Sequence, residues 1–239
     1  MTRMDGRELD ELRPVKLTTG FSKFAEGSCL IECGNTMVLC NASVEERVPK
    51  HVLSGGWITA EYSMLPRANR ERSRRDISRL KLAPRSAEIQ RLVGRSLRSA
   101  VDMELLGERE ITIDCDVLQG DGGTRTASVT GGFIALALAC RKLMQDGLIT
   151  QMPLRSFVSG VSAGIVGGVP MLDLCYEEDS SAMVDLNCVM TDRGEIIELQ
   201  GTGEARPFTV EEQQALLQLC KKGNAELVKL QRDILGDLS

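Results

Sequence analysis

The stretch from Gln119 to Arg141, QGDGGTRTASVTGGFIALALACR, most constrains the fold of this 239-residue chain. It opens with three glycines in four positions (Gly120, Gly122 and Gly123) and continues into small and apolar residues that predict a buried helix. Glycine lets the backbone turn tightly and leaves room for a ligand to approach its N–H groups. Because the first N–H groups of a helix are unpaired, the predicted helix start is suited to binding an anion.

Arg125 falls in the first turn of this predicted helix, where a cation opposes the helix macrodipole. We expect this arginine to be exposed and to meet an anion, for which a phosphate is suitable. An ordinary strand-to-helix turn with a surface arginine is equally compatible with the loop alone, because the loop matches neither GxxxxGK[ST] nor GxGxxG.

The sequence as a whole predicts an α+β fold, with mixed β-sheets and packed helices in two lobes, residues 1–150 and 151–239. Strands are predicted within residues 14–44, 57–65, 111–119, 157–176, 181–191 and 194–204. Gly34 and Asn35 are predicted to form a two-residue hairpin turn. Ser86 is predicted to cap a helix.

The last helix is predicted to follow a capping box, in which Thr209 and Glu212 satisfy each other's backbone N–H groups.

Positive charge is concentrated between Arg67 and Arg85, where seven arginines and one lysine outnumber two carboxylates for a net charge of +6. The whole chain has a net charge of −5, so the rest of it carries −11. One basic, exposed segment on an acidic body is typical of a local contact with a polyanion such as RNA. A solvated run of charge is the alternative. The residues predicted to contact RNA are Arg67, Arg70, Arg72, Arg74, Arg75 and Arg79.

Four carboxylates surround the predicted connection between a strand at residues 169–176 and a strand at 183–190: Glu177, Glu178, Asp179 and Asp185. If these strands pair antiparallel, Asp179 and Asp185 lie close together. Two neighbouring carboxylates can hold one divalent cation such as Mg²⁺, whose shell is completed by water and substrate oxygens. An acidic turn in solvent is the alternative.

Other features narrow the class of protein and of reaction. The eight cysteines lie mostly in apolar runs without a CxxC pair, which predicts buried core residues in a reducing compartment. The polar N-terminus and the lack of a run of eighteen apolar residues predict a cytoplasmic protein without a membrane partner. The single His51 has no motif around it, so the attacking group is predicted to be water or inorganic phosphate. An anion site, a basic segment and paired carboxylates together indicate phosphoryl or nucleotidyl transfer on RNA.

Several stretches resemble the ribonuclease PH family of phosphate-dependent 3′-exoribonucleases, over almost the whole chain. They are TAEYSMLPRA, EIQRLVGRSLRSAVD, DCDVLQGDGGTRTAS and LDLCYEEDS. The resemblance implies a ribonuclease PH-like fold and an enzyme that trims the 3′ ends of transfer-RNA precursors. Inorganic phosphate is the implied co-substrate, nucleoside diphosphates the products, and a homo-hexameric trimer of dimers the assembly.

The resemblance also implies roles for individual residues. It assigns phosphate binding to Arg85, Gly123, Thr124 and Arg125, and it assigns a divalent cation, Mg²⁺, to Asp179 and Asp185. The implied catalytic residues are Arg85, Arg125, Asp179 and Asp185. The chain departs from the family at RLKLAPR, where Pro84 precedes the phosphate arginine and removes one N–H.

Two other functions are consistent with these features. A catalytically inactive subunit of an exosome-like ring would only bind RNA, and a hydrolytic nuclease would need no phosphate site. The joint presence of two arginines and two aspartates at the implied positions favours the phosphorolytic enzyme.

Overall fold

The computed structural model describes residues 3–75 and 82–238. The described residues form two β-sheets, and the first has five strands in the order β1-β2-β3-β5-β4. These strands are β1 (Val15–Thr19), β2 (Gly27–Cys33), β3 (Thr36–Glu45), β4 (Trp57–Met64) and β5 (Glu110–Gln119). Strand β4 is parallel to β5 and the other pairs are antiparallel. The predicted turn at Gly34 and Asn35 is confirmed, since β2 and β3 pair directly on either side of it.

The second sheet has four antiparallel strands in the order β7-β6-β8-β9. Its strands are β6 (Val158–Val166), β7 (Val169–Leu172), β8 (Val184–Thr191) and β9 (Ile196–Gly203). The helices in the described ranges are α1 (Pro84–Arg98), α2 (Met103–Leu106), α3 (Thr124–Gln145), α4 (Tyr176–Asp179) and α5 (Val210–Leu235). The predicted α+β class with mixed sheets and packed helices is confirmed, and so is the capping box of Thr209 and Glu212 at the start of α5.

Helix α3 lies at the centre of the protein and contacts both sheets. Its length and composition would allow it to span a membrane, but 78% of its most apolar window is buried inside the protein, as in a core helix. On one flank the Thr130 side chain accepts a hydrogen bond from the backbone N–H of Gly160 in β6, at 3.0 Å. The Gln231 side chain of α5 donates to the carbonyl oxygens of both Thr130 and Val158. One hydrophobic core therefore includes residues from both sides of position 150, and the division into two lobes at that point stays a prediction.

Helix α1 begins earlier than predicted. Its first residue is Pro84 and its N-cap is Ala83, so Ser86 is a helical residue and not the cap. Proline suits this position because its fixed φ matches the helix and the N–H that it lacks would be unpaired there anyway. Arg85 consequently lies in the first turn of α1, near the positive end of the helix dipole.

The predicted pairing of the strands around the acidic residues is wrong. Strands β7 and β8 do not pair with each other, because β6 lies between them. The hairpin at Gly167 and Gly168 places β7 on one side of β6. The chain must then cross to the other side of β6 before β8 can begin, and helix α4 is part of this crossing.

Candidate functional site

The glycine-rich loop connects β5 to α3 and has a backbone that other residues rarely adopt. Gly122 and Gly123 have φ angles of +78° and +66°, and Gly123 is the N-cap of α3. A Cβ on Gly122 would collide with the carbonyl oxygen of Leu174. The loop therefore depends on glycine both for its left-handed conformation and for its close approach to the chain before α4.

Arg125 is held inside the protein, so the expectation that it would be exposed is wrong. Only 19% of its side chain is accessible. Its Nη1 donates to Oε1 of Gln200 at 2.9 Å, and the Gln200 amide donates to Glu88 at 3.0 Å. Glu88 also lies 3.7 Å from the Arg125 guanidinium. These contacts from β9 and α1 fix the direction of the guanidinium.

Thr124, the first residue of α3, is buried, and its hydroxyl is 2.8 Å from the hydroxyl of Tyr62 in β4. Tyr62 is only 2% exposed, so its ring packs in the core. The start of α3 is thus fixed on two sides, by Tyr62 at Thr124 and by Gln200 at Arg125.

All the residues predicted to bind phosphate or a cation line one cavity of about 310 Å³. They are Arg85, Gly123, Thr124, Arg125, Asp179 and Asp185. The structure thus brings together the starts of two helices, α1 and α3, with the end of α4 and the second residue of β8. We call this space the anion cavity.

Sequence reasoning missed four polar residues that also line the anion cavity: Ser162, Ser180, Asn187 and Glu204. The Asn187 amide donates to Asp185 at 2.9 Å, and alternation along β8 could have revealed it, since residues two apart share a face. The Ser162 hydroxyl is buried and has no hydrogen-bond partner among the described residues. An oxygen of a bound phosphate or of a cation's water shell would satisfy it.

The two aspartates of the anion cavity are held in a costly arrangement. Burial and the neighbouring Asp179 carboxylate raise the pKa of Asp185 to about 6, against the opposing effect of Arg125. Burial raises the pKa of Asp179 as well, although Arg85 and Arg125 lower it. A cation between the two carboxylates would relieve their repulsion.

The two aspartates fit Mg²⁺, which keeps part of its water shell, better than they fit a cation whose ligands all come from the protein. The described ranges contain no group of three or more His, Cys, Asp or Glu side chains that could hold a metal ion. Mg²⁺ binds through one or two carboxylates and keeps several waters beside the substrate phosphates. Two aspartates in an open, polar cavity are consistent with that preference.

Of the two glutamates that precede Asp179, only Glu177 is exposed to solvent. Glu178 is buried, and its carboxylate accepts two hydrogen bonds from Arg3, at 2.8 and 2.6 Å. The Arg13 guanidinium pairs with Asp173 at 2.7 Å and also donates to the carbonyl oxygens of Asp121 and Gly122. The N-terminal segment thus connects the chain before α4 with the glycine-rich loop. The sequence carries no signal of this, because the partners are 108 or more positions apart.

The basic segment is exposed where the structure describes it. The exposed arginines are Arg67, Arg70, Arg72, Arg74 and Arg75, whereas Arg79 lies outside the described residues. Arg70 donates to the Glu177 carboxylate at 2.7 Å, and this pair is exposed on both sides.

Two family models match the chain. A model described as 3′ exoribonuclease family, domain 1 (RNase PH) matches residues 11–142, and the model of domain 2 of the same family matches residues 156–223.

Solved structures with the same fold include rice (Oryza sativa) Rrp46, with a TM-score of 0.80 and 17% identity over 98% of this chain and 100% of that chain. An Archaeoglobus fulgidus exosome with RNA bound to the active site matches with a TM-score of 0.80 and 23% identity, covering 96% of this chain and 92% of that one. An archaeal exosome core matches with a TM-score of 0.76 and 24% identity, covering 97% and 90%. At these identities the structures establish a shared fold.

Proposed function

This chain belongs to the RNase PH family of 3′ exoribonucleases, and we propose that it shortens RNA from the 3′ end by phosphorolysis. Inorganic phosphate is the attacking group and nucleoside diphosphates are the products. The observation that carries the proposal is the anion cavity, which is lined both by two arginines at helix starts and by two aspartates with raised pKa values.

The residues of the cavity provide what this reaction needs. Arg85, Arg125, the Thr124 hydroxyl and the N–H groups at the start of α3 would bind inorganic phosphate. One phosphate oxygen attacks the phosphorus of the last phosphodiester bond. The bond from that phosphorus to the 3′-oxygen of the preceding nucleotide breaks, the 3′-oxygen takes up the proton that the attacking hydrogen phosphate gives up, and a nucleoside diphosphate leaves. The reverse reaction adds a nucleotide and releases phosphate.

The fixed position of Arg125 supports a role in binding the negative charge that builds up during this transfer. Donors that are already oriented stabilise such charge without rearranging at the moment of reaction. Gln200 and Glu88 orient Arg125, and Tyr62 fixes Thr124 beside it.

Asp179 and Asp185 would hold a divalent cation, Mg²⁺, which when bound supplies positive charge next to the phosphate oxygens. The Ser162 hydroxyl and the Asn187 side chain face the same cavity and would contact the water shell or the substrate. Without the cation these two carboxylates would repel the incoming phosphates.

The finer features of the proposal concern substrate and assembly. We propose transfer-RNA precursors as substrates, because the exposed basic segment would bind the folded body of such an RNA while its 3′ end enters the anion cavity. We also propose that the chain assembles into a homo-hexamer, a ring formed from three dimers. The exosome structures that share its fold, one of which has RNA bound to its active site, support the ring and the RNA substrate.

The test is to incubate the purified protein with RNA, Mg²⁺ and inorganic phosphate and to identify the released nucleotides by chromatography. Nucleoside diphosphates whose release requires phosphate would support the proposal. Nucleoside monophosphates would indicate a hydrolytic nuclease. Binding of RNA without any release would indicate an inactive ring subunit.

Two arginine variants distinguish a role of the anion cavity from a general effect of removing positive charge. Arg125→Ala should lose most of its activity at limiting phosphate, because the fixed guanidinium is the cation at the start of α3. Arg91→Ala removes an exposed arginine of α1 that does not line the cavity, so it should keep the activity. Unchanged phosphorolysis in Arg125→Ala would contradict the assignment.

A further inference from the structure

A second cavity, of about 610 Å³, opens beside the anion cavity. The two cavities share four lining residues: Arg85, Gly123, Thr124 and Asp179. The two cavities differ in their walls, because the second is also lined by Met64 and Tyr176. A nucleotide that places its phosphate in the anion cavity would therefore have a partly apolar space next to it.

Tyr176 presents its ring on the wall of this second cavity. It is 49% exposed, although it belongs to an otherwise well-anchored part of the chain. Its backbone N–H donates to the Asp121 carboxylate at 3.2 Å, which fixes it to the glycine-rich loop. Tyr176 and Asp179 are the first and last residues of α4, so the ring and the carboxylate lie one helical turn apart.

Arg70 lies over this ring. Its guanidinium carbon is 5.4 Å from the ring centroid, within the range of a cation–π contact, and it also lines the cavity. The 2.7 Å hydrogen bond from Arg70 to Glu177, the residue after Tyr176, keeps the guanidinium near the ring. Exposed aromatic rings and guanidinium planes are the surfaces on which proteins stack unpaired bases.

We propose that Tyr176 and Arg70 form a stacking platform for the nucleobase at the 3′ end of single-stranded RNA. The inference rests on the proposed function for the position of the reacting phosphate, which it places in the adjoining anion cavity. The platform would hold any of the four bases, because every base has a π-face and stacking needs no hydrogen-bond pattern. It thus explains how one site can remove successive nucleotides of different sequence.

Binding of a short RNA of four nucleotides, measured by fluorescence anisotropy, tests the platform without requiring catalysis. Tyr176→Leu keeps an apolar side chain of similar reach but removes the ring, and it should weaken binding by about 5-fold to about 150-fold. Tyr176→Phe keeps the ring and should bind as the unchanged protein does. Phe24→Leu is the matched control, since Phe24 is another exposed ring with a cation, Lys23, over it, 5.5 Å from its centroid. This control should not change the affinity.

A second RNA, identical but lacking the base at its 3′ end, identifies the contact. The unchanged protein and Tyr176→Leu should bind this RNA equally, because the partner of the ring is gone. A loss in Tyr176→Leu that is the same with and without the terminal base would overturn the proposal, and so would an unchanged affinity for the intact RNA.

The KM for inorganic phosphate separates stacking from damage to α4. This KM should be the same in Tyr176→Leu as in the unchanged protein. If the KM rises by the same factor by which RNA affinity falls, the substitution disturbs Asp179, and the platform is overturned. The stacking platform and the proposed phosphorolysis can fail separately. If no phosphorolysis is found, the comparison of RNA affinities still tests the platform. If nucleoside diphosphates are released but Tyr176→Leu binds RNA as the unchanged protein does, only the platform is contradicted.

Discussion

The buried ion pair of Arg13 and Asp173 predicts a loss of stability that depends on pH. Asp173 is 6% exposed and accepts hydrogen bonds from the backbone N–H of Arg13 at 2.8 Å and from its guanidinium at 3.0 and 2.7 Å. Arg13→Met keeps much of the volume of the side chain but leaves the carboxylate buried without this partner. Breaking a buried pair by removing one partner costs about 3–5 kcal/mol. We expect about 3 kcal/mol, the lower end, because Arg7 remains 3.6 Å from Asp173.

The pH dependence follows from the protonation of Asp173. Burial raises its pKa, but the charge and hydrogen bonds of Arg13 outweigh burial, and the pKa lies below the usual value. A carboxyl with a lowered pKa stabilises the fold above its unfolded pKa of about 4 and loses that contribution as the pH falls. In Arg13→Met the buried carboxylate costs stability at neutral pH, and protonation relieves that cost. The difference between the two proteins should therefore be largest at neutral pH and shrink towards about pH 4.

Urea denaturation across a pH series measures this difference. Arg13→Met combined with Asp173→Asn should recover part of the loss, because no unpaired charge is left and Asn tolerates the φ of +50° at this position. Arg47→Met, which breaks an exposed pair with Glu45, should change stability little at any pH. A loss in Arg13→Met that stays constant from neutral pH to about pH 4 would refute the role of the buried charge.

Three further predictions concern the site. Asp185→Asn keeps the shape of the side chain but removes its charge, so Mg²⁺ binding, measured by calorimetry, and the rate of phosphorolysis should fall together; retained activity with the same Mg²⁺ dependence would contradict the assignment. Gly122→Ala should destabilise the protein by about 1–3 kcal/mol and raise the KM for phosphate, because φ is +78° there and the Cβ meets Leu174. Replacing three arginines of the basic segment by glutamine should flatten the salt dependence of transfer-RNA binding by about 0.7 to 0.9 in log–log slope per lost contact, yet leave degradation of a short oligonucleotide unchanged. The three are Arg72, Arg74 and Arg75.

The anion cavity could be predicted in part because its residues belong to local patterns. The glycines directly precede α3, Arg125 lies in the first turn of α3, and Arg85 lies in the first turn of α1. The proximity of Asp179 and Asp185 was predicted correctly from a pairing of strands that the structure contradicts. What brings them together is the crossing of β6, and strand order in a sheet is a long-range property that periodicity does not encode.

The contacts that orient the residues of the anion cavity could not be predicted from the sequence, for a different reason. The sequence places Arg125 in the first turn of a helix and predicts that it is exposed, but Gln200 in β9 accepts a hydrogen bond from its guanidinium. The sequence groups Glu178 with an acidic turn, whereas its partner Arg3 lies 175 positions away. Tyr176 stands in LDLCYEEDS, but nothing in that stretch indicates an exposed ring, and the structure places Tyr176 in the lining of the second cavity.

The central position of α3 has a consequence for how the chain is made. Residues 124–145 leave the ribosome after all five strands of the first sheet, so the flank of α3 that faces β2 and β3 can be covered at once. The other flank, with Thr130 and Phe133, stays uncovered until Phe157, β6 and α5 have been made. The ring centroids of Phe157 and Phe133 lie 5.6 Å apart, and Gln231 of α5 donates a hydrogen bond to the carbonyl oxygen of Thr130. A nascent chain that has emerged from the ribosome only as far as residue 150 therefore presents an uncovered apolar face of α3, the kind of surface that chaperones bind and that aggregates when they do not.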